Sequence, residues 1–340
     1  MLDCLVIGGG QSGLACGYYL HKRGLDFRIL DAEPVPGGAW QHTWDSLRLF
    51  SPATASNLPG MPMPAYPGYP PASHVVDYLR AYEKRYDLPV NRPVTVTRVD
   101  HRSASHEDSH GLGGKDYFVV ALRGGDAPTV TARTVVAATG TWSSPFIPFY
   151  PGHFRGKQWH SAWYPGASPF AGARVAVVGG ANSGAQIAAD LLGTAARVDW
   201  FTHRPPRWMP DDIVGRDLFH RSRARLLAQK EGRPDPGSES SLGDIVMVPP
   251  VKAARDAGRL AAQPIFGRLD ELDHDHLIWC TGFRPALGPI RHLVAEGKAQ
   301  VPGLFLVGYG SWTGPGSATI TGVSPFAKQT AAAIEEIVRA

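Results

Sequence analysis

Cys4-Leu5-Val6-Ile7-Gly8-Gly9-Gly10-Gln11-Ser12-Gly13 lies near the start of the chain, and Val175-Ala176-Val177-Val178-Gly179-Gly180-Ala181-Asn182-Ser183-Gly184 repeats its plan beyond mid-sequence. Each is an apolar run that enters Gly-x-Gly-x-x-Gly and continues into residues that favour a helix. Strand, tight turn and helix N-terminus in that order form a phosphate cradle. The first glycine permits the turn, the second admits a pyrophosphate against the backbone, and the third lets helix and strand pack closely, with free N–H groups aimed at the ligand. Two copies predict two bound dinucleotides.

The strands that follow the motifs differ. Phe27-Arg28-Ile29-Leu30 ends in Asp31, an acid placed to accept hydrogen bonds from a free ribose, as in FAD or NAD. Gly8, Gly10, Gln11, Ser12, Gly13 and Asp31 are therefore assigned to that nucleotide. The corresponding strand after the second motif, Val198-Asp199-Trp200-Phe201, reaches Thr202 where the acid would stand, and His203, Arg204 and Arg207 follow. A carboxylate would repel a 2′-phosphate, whereas Arg offers a fixed fork of donors to it. Gly179, Asn182, Ser183, Gly184, His203, Arg204 and Arg207 are accordingly assigned to NADPH.

A chain of 340 residues, 43% apolar, supports two domains with cores of their own. The formal charge of +4 comes from scattered Lys and Arg, so no basic stripe for nucleic acid is expected. No apolar run is long enough to span a bilayer, and the first strand begins at once without a charged and apolar leader, so a soluble cytoplasmic protein is expected. Cys4, Cys16 and Cys280 make neither a disulfide framework nor a Cys-x-x-Cys relay, and each falls in an element where a small buried side chain fits. His106-Glu107-Asp108-Ser109-His110 and His274-Asp275-His276 lack metal-ligand spacing and are read as solvated; no metal is expected.

Val135-Val136-Ala137-Ala138-Thr139-Gly140 and Leu277-Ile278-Trp279-Cys280-Thr281-Gly282 share one shape, a buried strand ending in Thr-Gly. Each marks a crossing between domains. The expected fold is α/β, with two Rossmann-like domains: residues 1–163 and 278–340 form a discontinuous FAD domain, and residues 164–277 an NADPH domain inserted into it. The stretch from His101 to Lys115 reads as a surface hairpin and Glu231 to Leu242 as a loop, while the Pro-rich stretch 59–71 is compatible with order or disorder.

Gly37-Gly38-Ala39-Trp40 is a sharp turn with an aromatic behind it, and Phe154-x-Gly156-x-x-x-His160-x-x-x-Tyr164 precedes the second motif. At these residues the chain resembles the class B flavin-dependent monooxygenases, whose signature Phe-x-Gly-x-x-x-His-x-x-x-Tyr or Phe lies between two Gly-x-Gly-x-x-Gly motifs. Tyr164-Pro165 after Trp163 is closer to the heteroatom-oxidising than to the Baeyer-Villiger branch. Ala39-Trp40-Gln41-His42-Thr43-Trp44, Ser46-Leu47-Arg48-Leu49-Phe50-Ser51-Pro52, the block from Gly243 to Pro250 and Trp279-Cys280-Thr281-Gly282-Phe283-Arg284-Pro285 look like the ArsO-type flavin monooxygenases associated with arsenic resistance. The resemblance implies that Gly38, Trp40, Arg48, Thr139 and Gly140 belong to the FAD site, and Thr281 and Gly282 to the NADPH site or the crossing. It implies that His160 positions the domains and contacts NADP+.

The chemistry it implies is reduction of FAD by NADPH, capture of O2 as a C4a-(hydro)peroxyflavin, and transfer of one oxygen to sulfur, nitrogen or trivalent arsenic. Uncoupled oxidase action, Baeyer-Villiger oxidation of a ketone and a silent flavin sensor are the alternatives. Relatives place an Asp near the C-terminal end of the flavin domain; Leu306 to Gly314 contains none, so Ser311 is the expected weaker substitute. Losing that charge-assisted contact lowers FAD affinity by about 1 to 2 kcal/mol. Arg207 to Asp212 reads either as a substrate entrance or as a helix start.

Overall fold

The computed structural model describes residues 1–103, 115–213, 215–238 and 241–340. The tip of the expected hairpin at His101 to Lys115, with His106 to His110, lies outside them. The chain runs β1 (Leu2–Ile7), α1 (Gln11–Lys22), β2 (Phe27–Leu30), α2 (Ala72–Arg85), β3 (Val90–Asn91), β4 (Thr95–Arg102), β5 (Tyr117–Arg123) and β6 (Thr129–Ala137). It continues through β7 (Lys157–His160), β8 (Arg174–Val178), α3 (Asn182–Leu191), β9 (Arg197–Thr202), α4 (Gly215–Lys230), α5 (Pro249–Asp256), β10 (Ala262–Pro264) and β11 (His276–Trp279). It closes with β12 (Val294–Ala295), β13 (Lys298–Ala299), β14 (Leu304–Leu306) and α6 (Ser324–Arg339).

Two sheets carry the two glycine motifs. The first has the order β3-β2-β1-β6-β5-β4, with β14 also paired to β6. Its β1, β2, β3, β6 and β14 pair in parallel, and β4 and β5 extend it as an antiparallel hairpin. The second, β10-β9-β8-β11-β7, is parallel throughout. Parallel strands covered on both faces need apolar residues at successive positions, and Leu5-Val6 and Ala176-Val177 are fully buried as that rule requires. Each sheet has core clusters that include alternate residues of its central strand: Val6 with α1, α2 and α6, and Leu5 on the other face; Val177 with α3 and α5, and Ala176 opposite.

The second sheet begins with β7 at Lys157 and ends with β11 at Trp279, so β7 precedes the expected cut at 163/164 and β11 spans that at 277/278. The Pro-rich segment is pinned: Tyr82 Oη donates to the Pro59 carbonyl at 2.7 Å, Tyr78 Oη to that of Met61 at 2.6 Å, and Leu49 N–H to that of Pro70 at 2.9 Å. Trp44, from the chain of the first sheet, is buried in the core of the second and meets Tyr164 edge-on at 5.6 Å. Among the described residues no helix is long and apolar enough to cross a membrane.

Candidate functional site

A cleft of about 650 Å3 opens where β1, β2 and β6 end. Gly8 has φ +106°, and a Cβ there would stand 2.5 Å from the carbonyl oxygen of Ala138. Further along the motif, a Cβ on Gly13 would run into the Gly8 carbonyl, so α1 can lie against the turn only if that position is bare. Gly10 caps α1 without a side-chain bond, leaving the first-turn N–H groups to face the cleft. Bare backbone, open N–H groups and the adjoining carboxylate of Asp31 fit a dinucleotide pyrophosphate and ribose. Asp31 is 4% exposed. Burial raises its pKa, opposed by Arg92, whose Nε and Nη2 reach Oδ2 at 3.2 and 3.1 Å.

Gly8, Gly10, Gln11, Ser12, Asp31, Gly38, Trp40, Thr139 and Gly140 all line this cleft. Trp40 Nε1 donates to Gln11 Oε1 at 3.0 Å, and Gln11 Nε2 to the Ala318 carbonyl at 2.6 Å, tying the 38–42 turn to α1 and to the approach of α6. Gly13 lies behind the turn, and Arg48 and Ser311 also stand outside the lining. The Arg48 guanidinium is held by the carbonyls of Asp45 and Leu47 at 2.9 and 3.0 Å, and its backbone N–H points to Gln186 Oε1 on α3 at 3.4 Å. Ser311 is exposed on the 310–312 turn, while Gly308 and Ala318 line the cleft from that part of the chain.

The second cleft, about 590 Å3, repeats the design at the ends of β8 and β9. Gly179, at φ +137°, faces the Cys280 carbonyl as Gly8 faces that of Ala138, and a Cβ on Gly184 would meet the Gly179 carbonyl. Gly179, His203, Arg204, Arg207 and Thr281 line this cleft together with Asp244. Arg204 makes no ion pair among the described residues, whereas Arg207 is forked onto Asp244, Nε to Oδ2 at 2.9 Å and Nη2 to Oδ1 at 3.2 Å. His203 Nε2 is 3.3 Å from Tyr150 Oη. Asn182 turns away to accept the Val246 N–H at 2.8 Å, and Ser183 is half-buried in the opening turn of α3, outside the lining.

The crossings clasp each other. Thr139 Oγ1 donates to the Ala286 carbonyl at 2.7 Å and Thr281 Oγ1 to that of Phe146 at 2.5 Å. The backbone answers in kind: Ala286 N–H to the Gly140 carbonyl and Phe146 N–H to that of Gly282, both at 2.9 Å, about an antiparallel bridge between Pro145 and Phe283. Each Thr-Gly thus fastens its own strand end to the other linker.

His160 closes this junction. It is fully buried at the end of β7, its Nδ1 accepts the Ala162 N–H at 3.1 Å, and its Nε2 then carries the proton and donates to the Gly282 carbonyl at 3.1 Å. Burial lowers its pKa below the ordinary imidazole value, with the Gly282 carbonyl opposing. Both ring nitrogens are therefore committed, which suits positioning and not proton transfer. The rest of the signature serves the same join: a Cβ on Gly156 would collide with the Asp275 carbonyl beside β11, and Tyr164 Oη donates to Asp190 Oδ2 on α3 at 2.7 Å. Rings continue the line, from His160 edge-on to Phe283 at 5.0 Å to Trp142 stacked on Phe283 at 5.1 Å, and Trp142 lines the first cleft.

The three cysteines are free and buried. Burial pushes the Cys4 thiol up to about 12 and raises Cys16 and Cys280 as well, so none is poised as a thiolate. His274-Asp275-His276, expected to be solvated, is instead built into the fold at its first member: His274 is buried and pairs with Asp199, while Asp275 pairs with Arg174 and His276 accepts from Trp159. Sequence reading missed Arg92, Trp142 and Asp244. Only Asp244 had a local signal, the Gly-Asp pair in a block singled out for its resemblance.

The profile of the pyridine nucleotide-disulphide oxidoreductases matches residues 5–305. The chain is similar to the uncharacterized oxidoreductase CzcO of Bacillus subtilis (strain 168), 31% identical over 353 residues that cover 95% of this chain and 96% of that one. It is similar over 63% of its own length, and 50% of the other's, to the probable indole-3-pyruvate monooxygenase YUCCA9 of Arabidopsis thaliana, at 31% identity. A flavin-containing monooxygenase from Stenotrophomonas maltophilia superposes with a TM-score of 0.83 at 42% identity, covering 98% of each chain. The chain belongs to the pyridine nucleotide-disulphide oxidoreductase family and, within it, to the flavin-containing monooxygenases.

Proposed function

We propose that this monooxygenase transfers one oxygen atom of O2 to a small soft nucleophile, a sulfide, an amine or a trivalent arsenical, in the cytoplasm. In this reading the expected FAD domain, residues 1–163 and 278–340, holds FAD in the first cleft, and the expected NADPH domain, residues 164–277, holds NADPH in the second with β7, the end of β11 and Thr281 added from the flanking segments. The carrying observation is what the first cleft lacks. Among the described residues its only ionisable lining side chains are Asp31 and Glu33, and both are engaged, Asp31 by Arg92 and Glu33 by His42 at 2.8 Å. Among the described residues that line the cleft with Trp40 and Trp142 there is no further acid or base, so the protein's part is to bind, orient and exclude water. Bound FAD would supply the redox chemistry, taking up electrons from NADPH and activating O2. A soft nucleophile needs no deprotonation before it accepts oxygen, which agrees with this lining. Trivalent arsenic is included on the resemblance of the Gly243 to Pro250 and Trp279 to Pro285 blocks.

Turnover with isotopically labelled dioxygen, NADPH and a panel of sulfide, amine, arsenite and ketone tests the proposal. Label in a sulfoxide, N-oxide or arsenate product, with one NADPH consumed per product, is the expected result. Stoichiometric hydrogen peroxide with every acceptor would overturn it in favour of the oxidase. Arg204→Ala is expected to raise the KM for NADPH about tenfold while changing that for NADH less than about twofold, since it removes a charge-assisted phosphate contact only.

A further inference from the structure

We infer that Asp244 is a specificity-determining residue that holds NADPH and NADH closer in affinity than the arginines alone would. The inference rests on the reading of the second cleft as the NADPH site. The acid missing from the end of β9, where Thr202 stands, is supplied from across the cleft: Asp244 lines it beside Arg204 and Arg207. Its placement is built into the backbone. Gly243 has φ +139°, and a Cβ there would lie 2.8 Å from the Met209 nitrogen. The Arg207 carbonyl accepts the N–H groups of Asp244 and Ile245 at 2.8 and 3.2 Å, and Asn182 in the second glycine motif accepts that of Val246 at 2.8 Å. The motif that opens the cleft therefore also fixes the segment bearing the carboxylate.

A carboxylate so placed acts twice. It can accept hydrogen bonds from the ribose hydroxyls of a dinucleotide without a 2′-phosphate. It also fills the fork of Arg207 and adds a negative charge where the 2′-phosphate must approach. The Arg207–Asp244 pair is about half exposed, with side chains 51% and 41% accessible, so it is weak enough for a phosphate to open, but only against the carboxylate's charge. Arg204 then reads the phosphate and Asp244 the hydroxyls, two readers for two cofactors in one cleft.

The test is calorimetric titration of NADP+ and NAD+ onto the FAD-loaded enzyme and its Asp244→Asn and Arg204→Ala variants. Asp244→Asn is expected to tighten NADP+ about tenfold and to weaken NAD+ about threefold, and Arg204→Ala to weaken NADP+ alone about tenfold. Asp244→Ser gives the same comparison should the amide disturb the turn. If Arg204→Ala weakens NADP+ while Asp244→Asn leaves both Kd values unchanged, or shifts both equally, the role of Asp244 is overturned and the reading of the cleft stands. If Arg204→Ala and Asp244→Asn are both silent, the reading of the cleft falls and the inference with it.

Discussion

Gly8→Ala is expected to yield a protein that purifies with at least about tenfold less flavin than the wild type, because the substitution imposes about 1 to 3 kcal/mol of backbone strain before any contact is counted. At φ +106° an L side chain is disfavoured, and its Cβ would stand 2.5 Å from the Ala138 carbonyl oxygen, which belongs to the adjoining strand end and cannot rotate away. Relief requires the turn to move outward, into the space assigned to the pyrophosphate. Gly179→Ala makes the control within the same molecule, since its Cβ would meet the Cys280 carbonyl in the second cleft. It should retain FAD and lose NADPH-driven flavin reduction. The flavin-to-protein absorbance ratio and anaerobic reduction by NADPH, then by dithionite, separate the two. Full flavin retention by Gly8→Ala would remove FAD from the first motif.

His160→Ala is expected to cost about 2 to 5 kcal/mol of stability, measured from the denaturant midpoint, since it opens a buried cavity and orphans two backbone groups. Those groups are the Ala162 N–H and the Gly282 carbonyl, one on each linker. The wild-type residue also predicts a pH dependence. Burial favours neutral His160, so the folded protein binds fewer protons than the unfolded chain once pH falls below the ordinary value of 6.5. Its contribution is complete above that pH and is lost as the solution is acidified through it. His160→Gln, which keeps a donor and an acceptor, should remove this part of the acid slope and recover much of the stability lost in His160→Ala. An unchanged slope would show that His160 is not the group responsible.

What could be read in advance followed from how local each constraint is. A glycine that must take a positive φ beside a neighbouring carbonyl declares itself within six residues, so both motifs, Asp31 and the Thr-Gly strand ends were legible. Arg92 and Asp244 were not, because they arrive at their clefts from segments far along the chain, and nothing in a lone Arg or Asp names its partner. Arg48 and Ser311 are the opposite case. Both were placed by analogy of sequence position, yet nearby carbonyls hold the first and the second sits on an exposed turn while Gly308 and Ala318 line the cleft. Sequence spacing also recognised His160 without disclosing its work, since its partners lie on two separate linkers.

The bridge between Pro145 and Phe283 has a consequence for how such a chain can be assembled. The long excursion through the second sheet departs and returns at neighbouring points of one antiparallel contact, so to the first sheet it is topologically a single surface loop. Closing a longer loop costs only about 0.6 kcal/mol for each doubling of its length. A complete strand-helix-strand unit can therefore be spliced in at that point without rewiring the host sheet. By the same logic, a short turn joining Ser144 to Arg284, whose backbones are already hydrogen-bonded at 2.8 Å, is the natural place to excise it.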